Sequence, residues 1–402
     1  MIHLAAARLA EAGLRLRARL GGGESLRERL VMDAPPQPTE LWVHGASVGE
    51  LVSARTVIET LAQDMRVLVT ANSPTGRDMA AGWGLPARLA PLDVPGALGR
   101  FLDAARPRLA LTVEGEFWPL RSRLLAARGV PQAMIGARIS ARSAARWGRL
   151  RGVIAPVLGR IEALSAQDAG SEARLRALGL PDAAILPRLD LKLLAPAAIP
   201  PPPDDPARDR VWLAASTHEG EEAQVLEAFI DARAACPGLR LILAPRHPRR
   251  GDEVAALIAA RGLPVARRSS GAEDAEILLA DTLGEMAHWY ARAGICLVGG
   301  SLTDRGGHTP WEPAAWRCAI LHGPHVSNHA ANFAALDRAG AALPVTAQDL
   351  AATVARLATA PEEARRMGHA ARALLEERAG DPAPLLARLR DLAQGARRPD
   401  IQ

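Results

Sequence analysis

From about residue 40 the chain alternates short, almost wholly apolar runs with longer stretches whose apolar positions recur every three or four residues. The short runs at 41–44, 67–70, 109–113, 133–137 and 161–165 predict strands, and the stretches between most of them predict amphipathic helices. Strand–helix alternation of this kind implies right-handed crossovers and a parallel sheet. The pattern breaks at 195–206, APAAIPPPPDDP, which reads as a stiff proline-rich linker. It then restarts with runs at 211–215, 239–244, 275–279, 295–298 and 319–322. The expected fold class is therefore α/β: two doubly wound, Rossmann-like lobes facing a central cleft, with ligands at the carboxyl ends of the strands. The expected boundaries are an amphipathic helix over 1–30, a first lobe over 31–194, the linker over 195–206, and a second lobe with C-terminal helices and a polar tail over 207–402.

The first twenty residues carry Ile2, Leu9, Leu16 and Leu20 near helical spacing, with Leu4 and Leu14 beside them and Arg8, Arg15, Arg17 and Arg19 among them; the glycine run 21–23 ends the segment. An apolar stripe with arginines reads as an interfacial helix, and equally as a surface helix packed on its own domain. No apolar run reaches the ~18 residues of a membrane span. The charges of Arg8, Glu11, Arg15, Arg17 and Arg19 also interrupt any signal-peptide core.

At 402 residues, with 49% hydrophobic and 23% charged residues, the chain is an ordinary globular one, large enough for two cores. The formal net charge is +5, carried almost wholly by arginine; Lys192 is the sole lysine. Such a mild basic excess suits an anionic small substrate or an anionic membrane face. Aromatics are only 3% and no reading motif occurs, so nucleic acid is not an expected partner. Cys236, Cys296 and Cys318 form no CxxC pair and read as reduced, buried thiols of a cytoplasmic protein. Histidines are scattered, so neither a metal nor a cofactor is expected. There is no GxGxxG after a strand, no Walker A sequence, no GxSxG elbow and no HExxH.

Chemistry gathers at the strand ends. The first strand runs into HGASVGE (44–50), in which Ser47 is a plausible N-cap, Gly49 leaves the turn open and Glu50 stands at capping-box spacing. Glu50 is either the partner of that cap or a carboxylate kept ionised at a helix start, as a general base must be. In TVEGEFWP (112–119), Glu114 and Glu116 alternate along an expected strand and so point the same way; they are an acid/base pair, or partners of nearby arginines. GARISARS (136–143) brings Arg138, Ser140 and Arg142, suited to anions beside those carboxylates.

In the second half, ASTHEGEE (215–222) places Ser216 and Glu219 at capping-box spacing, with Thr217 and His218 between them. APRHP (244–248) offers Arg246 and His247 where a phosphate or carboxylate would bind, and ADTLGE (280–285) contributes Thr282, Gly284 and Glu285. VGGSLTDRGGHTPWEPA (298–314) carries Gly299, Gly300, Ser301, Gly307 and His308, whose glycines let backbone approach a ligand. Its Glu312 stands at a helix start, able to accept from ribose hydroxyls.

HGASVGE, ExExWP, ARxSxRS, ASTHEGEE, PRHP, ADTLGE, VGGSL…GGHxPxEPA and GPHxxN, in this order over roughly residues 40–340, resemble the 3-deoxy-D-manno-octulosonic acid (Kdo) transferases of lipopolysaccharide assembly. The resemblance implies a GT-B fold and an inverting transfer of Kdo from CMP-Kdo to a lipid A precursor at the cytoplasmic face of the inner membrane. It implies an acceptor-binding first lobe and a donor-binding second lobe. It also implies a catalytic role for Glu50, with Glu114 and Glu116 as the ExE pair, and donor contacts from Ser216, Thr217, Arg246, Gly300, Ser301, Glu312 and their neighbours. Lys192, in DLKL, matches an LK pair of the family, which points to an ammonium-specific role.

Several family positions differ: Thr309 follows GGH where Asn is usual, Trp311 replaces a Leu, and Leu120 follows Trp118-Pro119. Gly136 opens the ARIS segment, Asn328-His329 stand for an NF pair, and Leu189-Asp190 occupy the usual glycine position. Two rival readings follow: a GT-B enzyme with another donor or acceptor, separated by CMP against UDP protection, and a silent binding paralogue, which would bind CMP-Kdo without turnover or not at all.

Overall fold

The computed structural model describes residues 2–21, 23–273 and 275–395, and side chains from residue 8 onward. The side chains of Ile2 and Leu4, and the polar tail from 396, lie outside that set. Two compact units emerge, one of residues 1–194 with 379–402, the other of residues 195–378.

The first unit holds six strands: β1 (Leu41–His44), β2 (Val67–Ala71), β3 (Ala87–Leu89), β4 (Leu109–Val113), β5 (Gln132–Ala137) and β6 (Ile161–Ala166). They form one sheet of order β3-β2-β1-β4-β5-β6, every pair parallel. Every residue of β1, β2 and β5 is buried, as in a sheet covered on both faces. The order reverses between β1 and β4, and in such sheets ligands bind outside the strand ends at that reversal. HGASVGE leaves the end of β1 and the ExE segment leaves the end of β4, so both first-half motifs meet at this point.

The second unit holds β7 (Val211–Thr217), β8 (Arg240–Pro245), β9 (Val265–Arg267), β10 (Ile277–Leu279), β11 (Ile295–Val298), β12 (Ala319–His322) and β13 (Ala342–Pro344), in the order β13-β12-β11-β7-β8-β10-β9. All its pairs are parallel, and the reversal lies between β7 and β11. The ends of these two strands are the Ser216–His218 turn and the Gly299–Ser301 turn. Trp212, Phe229, Leu241, Leu297 and Leu357 are among the residues of its larger core. Cys236, Cys296 and Cys318 are all free and buried.

Three expectations about organisation are corrected. The segment 1–30 is two helices, Ile2–Arg19 and Glu24–Arg29, because Gly21 and Gly23 take the left-handed backbone (φ 110° and 75°). The C-terminal helix Ala383–Gly395 belongs to the first unit, not the second: Leu385, Leu389 and Leu392 bury one stripe there, and Arg390 pairs with Asp64 at 2.7 Å. The proline-rich segment is not a stiff extended linker from its start, although it begins where the first unit's 1–194 stretch ends. Residues 191–198 are helical, and the second unit holds the segment through Arg372, which donates to the Ala197 carbonyl, and through the His369–Asp204 pair at 3.1 Å.

Candidate functional site

In the first unit, β1 ends at His44 and turns through Gly45 and Ala46 into the helix Val48–Ala62. Ser47 caps that helix as expected, its hydroxyl accepting the Glu50 N–H at 3.3 Å. The Glu50 carboxylate reaches back: Oε2 accepts the Ala46 N–H at 2.7 Å and Oε1 accepts the Ser47 hydroxyl at 3.1 Å. The cap and the carboxylate are thus one device, which fixes the Glu50 rotamer at the reversal of the sheet. Burial raises the Glu50 carboxyl above its ordinary value against the lowering effect of these two bonds, and the charges of Glu114 and Glu116 push it the same way. A half-buried carboxylate with raised basicity is what proton abstraction from a hydroxyl needs. At Gly49 an added Cβ would meet nothing closer than 3.9 Å, so this glycine leaves space at the helix start.

Glu114 and Glu116 do not alternate along a strand, because β4 ends at Val113. Glu114 takes the left-handed backbone (φ 59°), and the turn it starts passes so close to β5 that a Cβ on Gly115 would lie 2.6 Å from the Arg138 carbonyl oxygen. That turn swings Glu116 back toward β1. Its Oε2 accepts the Trp118 Nε1–H at 2.6 Å and lies 3.7 Å from Nε2 of buried His44. The neighbouring His44 imidazole, with the Trp118 bond and the charge of Arg121, holds the Glu116 carboxyl below its ordinary value against the cost of burial. Arg121, on the helix Pro119–Ala127, stands over the Trp42 ring, and burial brings its guanidinium down to about 10.

The remaining expected residues of this half are dispersed. Arg138 is exposed just after β5, Ser140 caps the helix Ala141–Arg149 by accepting the Ser143 N–H, and Arg142 is exposed in its first turn. Among the described residues no ion pair joins either arginine to Glu114 or Glu116. Lys192 is exposed on the helix Leu191–Ala198, its backbone N–H bound to Asp190. His44 and Arg121 were not among the residues singled out in the sequence. His44 stands in a quoted motif; Arg121 has no signal apart from its tertiary contact with Trp42.

In the second unit the expected Ser216–Glu219 capping box does not form. Ser216 sits at a bulge of β7 with φ 57°, Glu219 is exposed, and the helix Glu221–Ala235 starts after Gly220. The neighbouring acids do the structural work. Glu221 is fully buried and accepts four backbone N–H groups, from His218 (2.9 Å), Gly300 (2.7 Å), Ser301 (3.0 Å) and Leu302 (2.8 Å). It stitches the end of β7 to the end of β11. Glu222 accepts the Thr217 hydroxyl at 3.0 Å and Arg250 at 2.7 Å, so the Thr217 side chain is already engaged.

The glycine turns are needed for packing more than for open donors. A Cβ on Gly299 would lie 2.3 Å from the Ser216 carbonyl oxygen, and the N–H groups of Gly299, Gly300, Gly307 and His308 are all taken by protein acceptors. The buried Ser301 hydroxyl donates to the Val298 carbonyl and accepts the Gly323 N–H at 2.8 Å, tying β11 to the turn after β12. Thr282, Gly284 and Glu285 make a local knot: Glu285 accepts from Arg268 and the Thr282 hydroxyl, which bring its carboxyl down to about 2, and Gly284 turns at φ 84°.

What stays available is cationic and aromatic. His218 and His308 stack with centroids 5.1 Å apart and Nε2 atoms 2.9 Å apart, and His247 stands edge-on to His218 at 6.1 Å. Burial lowers the His218 and His308 imidazoles below their ordinary value. Arg246 is exposed at the end of β8, its N–H bound to the Thr217 carbonyl. Glu312 is exposed at the start of the helix Trp311–Ala315, one oxygen held by the buried Tyr290 hydroxyl at 3.2 Å. Imidazoles, a guanidinium and an oriented carboxylate can together receive a phosphate, an acid and a diol. Among the described residues no cluster of three His, Cys, Asp or Glu could hold a metal ion, and no helix is long and apolar enough to cross a membrane.

Comparison with known proteins is consistent across the chain. The family profile described as "3-Deoxy-D-manno-octulosonic-acid transferase (kdotransferase)" matches residues 16–195. The 3-deoxy-D-manno-octulosonic acid transferase of Haemophilus influenzae is 33% identical over 385 residues, covering 89% of this chain and 87% of that protein. That of Bordetella pertussis is 35% identical over 385 residues, covering 89% and 88%. Among solved structures, the UDP-GlcNAc 2-epimerase of Neisseria meningitidis bound to UDP-GlcNAc superposes with a TM-score of 0.50 at 12% identity, over 88% of this chain and 97% of that one; this likeness shows the fold alone, the two-lobed α/β arrangement of the GT-B class. With identity above 30% to a relative matched over most of its length, the chain belongs to the 3-deoxy-D-manno-octulosonic acid transferase family of glycosyltransferases.

Proposed function

We propose that the protein transfers Kdo from CMP-Kdo to a lipid A precursor with inversion at the anomeric carbon, the first unit receiving the acceptor and the second the donor. Glu50 takes the proton of the acceptor hydroxyl as the new glycosidic bond forms, and CMP leaves. The observation that carries this reading is the Glu50 device: a carboxylate whose rotamer is set by its own helix cap and whose basicity is raised by burial and two flanking acids. A cytidine monophosphate leaving group needs cationic and N–H stabilisation more than a proton, which suits the Arg246 guanidinium with the neutral His218–His308 pair as a hydrogen-bonding neighbour, and Glu312 would accept from ribose hydroxyls. No metal is required by this chemistry.

The same reading puts the enzyme on the cytoplasmic side of the inner membrane as a peripheral or monotopic protein. The helix Ile2–Arg19 supports it. Leu14 and buried Glu11 and Ala18 face the unit, while Leu9 and Leu16, with Leu20 just beyond, stay largely exposed among arginines.

The test is a transfer assay with lipid IVA and CMP-Kdo generated in situ, product mass read directly. Mass gain by one or more Kdo units is expected, and Glu50→Gln should lower turnover by roughly 10²–10⁴ with the fold intact. Wild-type turnover in that variant removes the base assignment. CMP-Kdo binding without product points to another acceptor.

A further inference from the structure

His44 is 2% exposed at the end of β1, and the mechanism above leaves it without a task. Its Nδ1 lies 3.1 Å from the Thr70 hydroxyl on β2, and that oxygen also accepts the Trp42 Nε1–H at 2.9 Å. Its Nε2 is buried without a hydrogen-bond partner, and the polar atom it confronts is Glu116 Oε2 at 3.7 Å. Two tautomers are open to a neutral imidazole. With the proton on Nδ1, the Nε2 lone pair would oppose an anionic carboxylate. With the proton on Nε2, the ring N–H faces the carboxylate, and the Thr70 hydroxyl, which accepts from Trp42 and reaches the Val43 carbonyl at 3.2 Å, can turn its proton to Nδ1 instead. The 3.7 Å gap exceeds a hydrogen bond by about 0.7 Å, within reach of a small χ adjustment of Glu116.

We propose that His44 is a positioning residue: its Nε2–H, in the tautomer favoured by the facing carboxylate, holds the Glu116 carboxylate as the anion that flanks Glu50. The inference deepens the proposed function and rests on it where Glu50 is concerned. Other charged groups act on the same carboxylates: Arg121 and Arg29 toward Glu116 and Glu114 toward Glu50, while Asp93 acts on Arg121, accepting its backbone N–H at 2.9 Å. All are present with or without His44, so its effect is separable from theirs.

Two measurements test this. The first needs no substrate: long-range ¹H–¹⁵N correlation of the histidine-labelled full chain, with His44→Gln assigning the signal. A neutral Nε2–H ring at pH 7 is expected, and an Nδ1–H ring overturns the proposal. The second is a double-mutant cycle on turnover. Gln keeps an amide donor near the Nε2 position and Leu keeps only bulk. His44→Leu should lower kcat about tenfold, equivalent to one unit of proton affinity, leave the KM for donor unchanged, and move the acid limb of kcat to lower pH, because a Glu116 carboxylate released from the Nε2–H can turn away and no longer supports the basicity of Glu50. His44→Gln should recover most of that loss. In a Glu116→Gln background His44→Leu should cost no further activity. Equal losses in both backgrounds, or a Gln variant as impaired as Leu, overturn it. Absence of transfer by the wild type would instead remove the functional reading and leave the tautomer result standing on its own.

Discussion

The perturbation Glu221→Gln tests whether a single buried carboxylate assembles the proposed donor half of the site. Glu221 Oε2 accepts the N–H groups of His218 and Gly300, and Oε1 accepts those of Ser301 and Leu302. Glutamine keeps the shape but turns one oxygen into a donor, so one pair of N–H groups loses its acceptor and faces another donor inside a fully buried site. A hydrogen bond to a charged group contributes about 1.5–3 kcal/mol, and each stranded buried donor adds a desolvation cost. Two lost bonds therefore cost about 3–6 kcal/mol, a large share of the ~5–15 kcal/mol that holds a native domain together. Urea unfolding followed by tryptophan fluorescence should show the midpoint fall by roughly 1–3 M, using slopes of about 2–3 kcal/mol per M. At low urea, CMP affinity measured by calorimetry should fall as well, since the turn carrying Gly300 and Ser301 is no longer pinned to the turn carrying His218. An unchanged midpoint together with unchanged CMP affinity would refute the reasoning, and a lowered midpoint with intact affinity would refute its functional half.

Three further outcomes are expected. Gly299→Ala should be destabilised by more than an exposed glycine substitution, because its Cβ would sit 2.3 Å from the Ser216 carbonyl oxygen, and the same unfolding assay reads it. The buried His44 imidazole protonates only at about 4 in the fold, against an ordinary 6.5, so the unfolded chain takes up its proton first as pH falls. The stability it contributes is whole above 6.5 and drains away toward pH 4, by about 3 kcal/mol, and thermal midpoints that do not steepen over this range relative to His44→Gln would contradict it. Arg246→Ala should weaken CMP binding by roughly 10–100-fold, the loss of one or more charge-assisted bonds, and unchanged affinity would remove its anion role.

Much of the fold was legible because parallel strands buried on both faces write themselves as unbroken apolar runs. The observed bounds of β1, β4, β11 and β12 coincide with those runs. The strands β3, β9 and β13 were not legible: each has three residues and is only partly buried, so no apolar run marks it, unlike the equally short but wholly buried β10. The Ser47–Glu50 cap was legible because both partners lie within one helical turn, and local spacing encodes local bonds. The same reasoning failed at Ser216 and Glu219, where the spacing was present but the helix begins after Gly220.

The sequence by itself determined the α/β class, two strand–helix series, the ends of the strands as the place for chemistry, and, through its ordered motifs, the family. Only the tertiary structure decided which partners each carboxylate meets. Glu221 meets Gly300, Ser301 and Leu302 some eighty positions along the chain, and the left-handed turn at Glu114 brings Glu116 to a histidine on another strand. It also returned the helix Ala383–Gly395 to the first unit. The physical reason is common to all three. Caps and periods are set by neighbours within a turn or two, whereas the partner of a buried charge is set by strand order, and strand order is fixed by the burial of whole faces rather than by spacing in the chain.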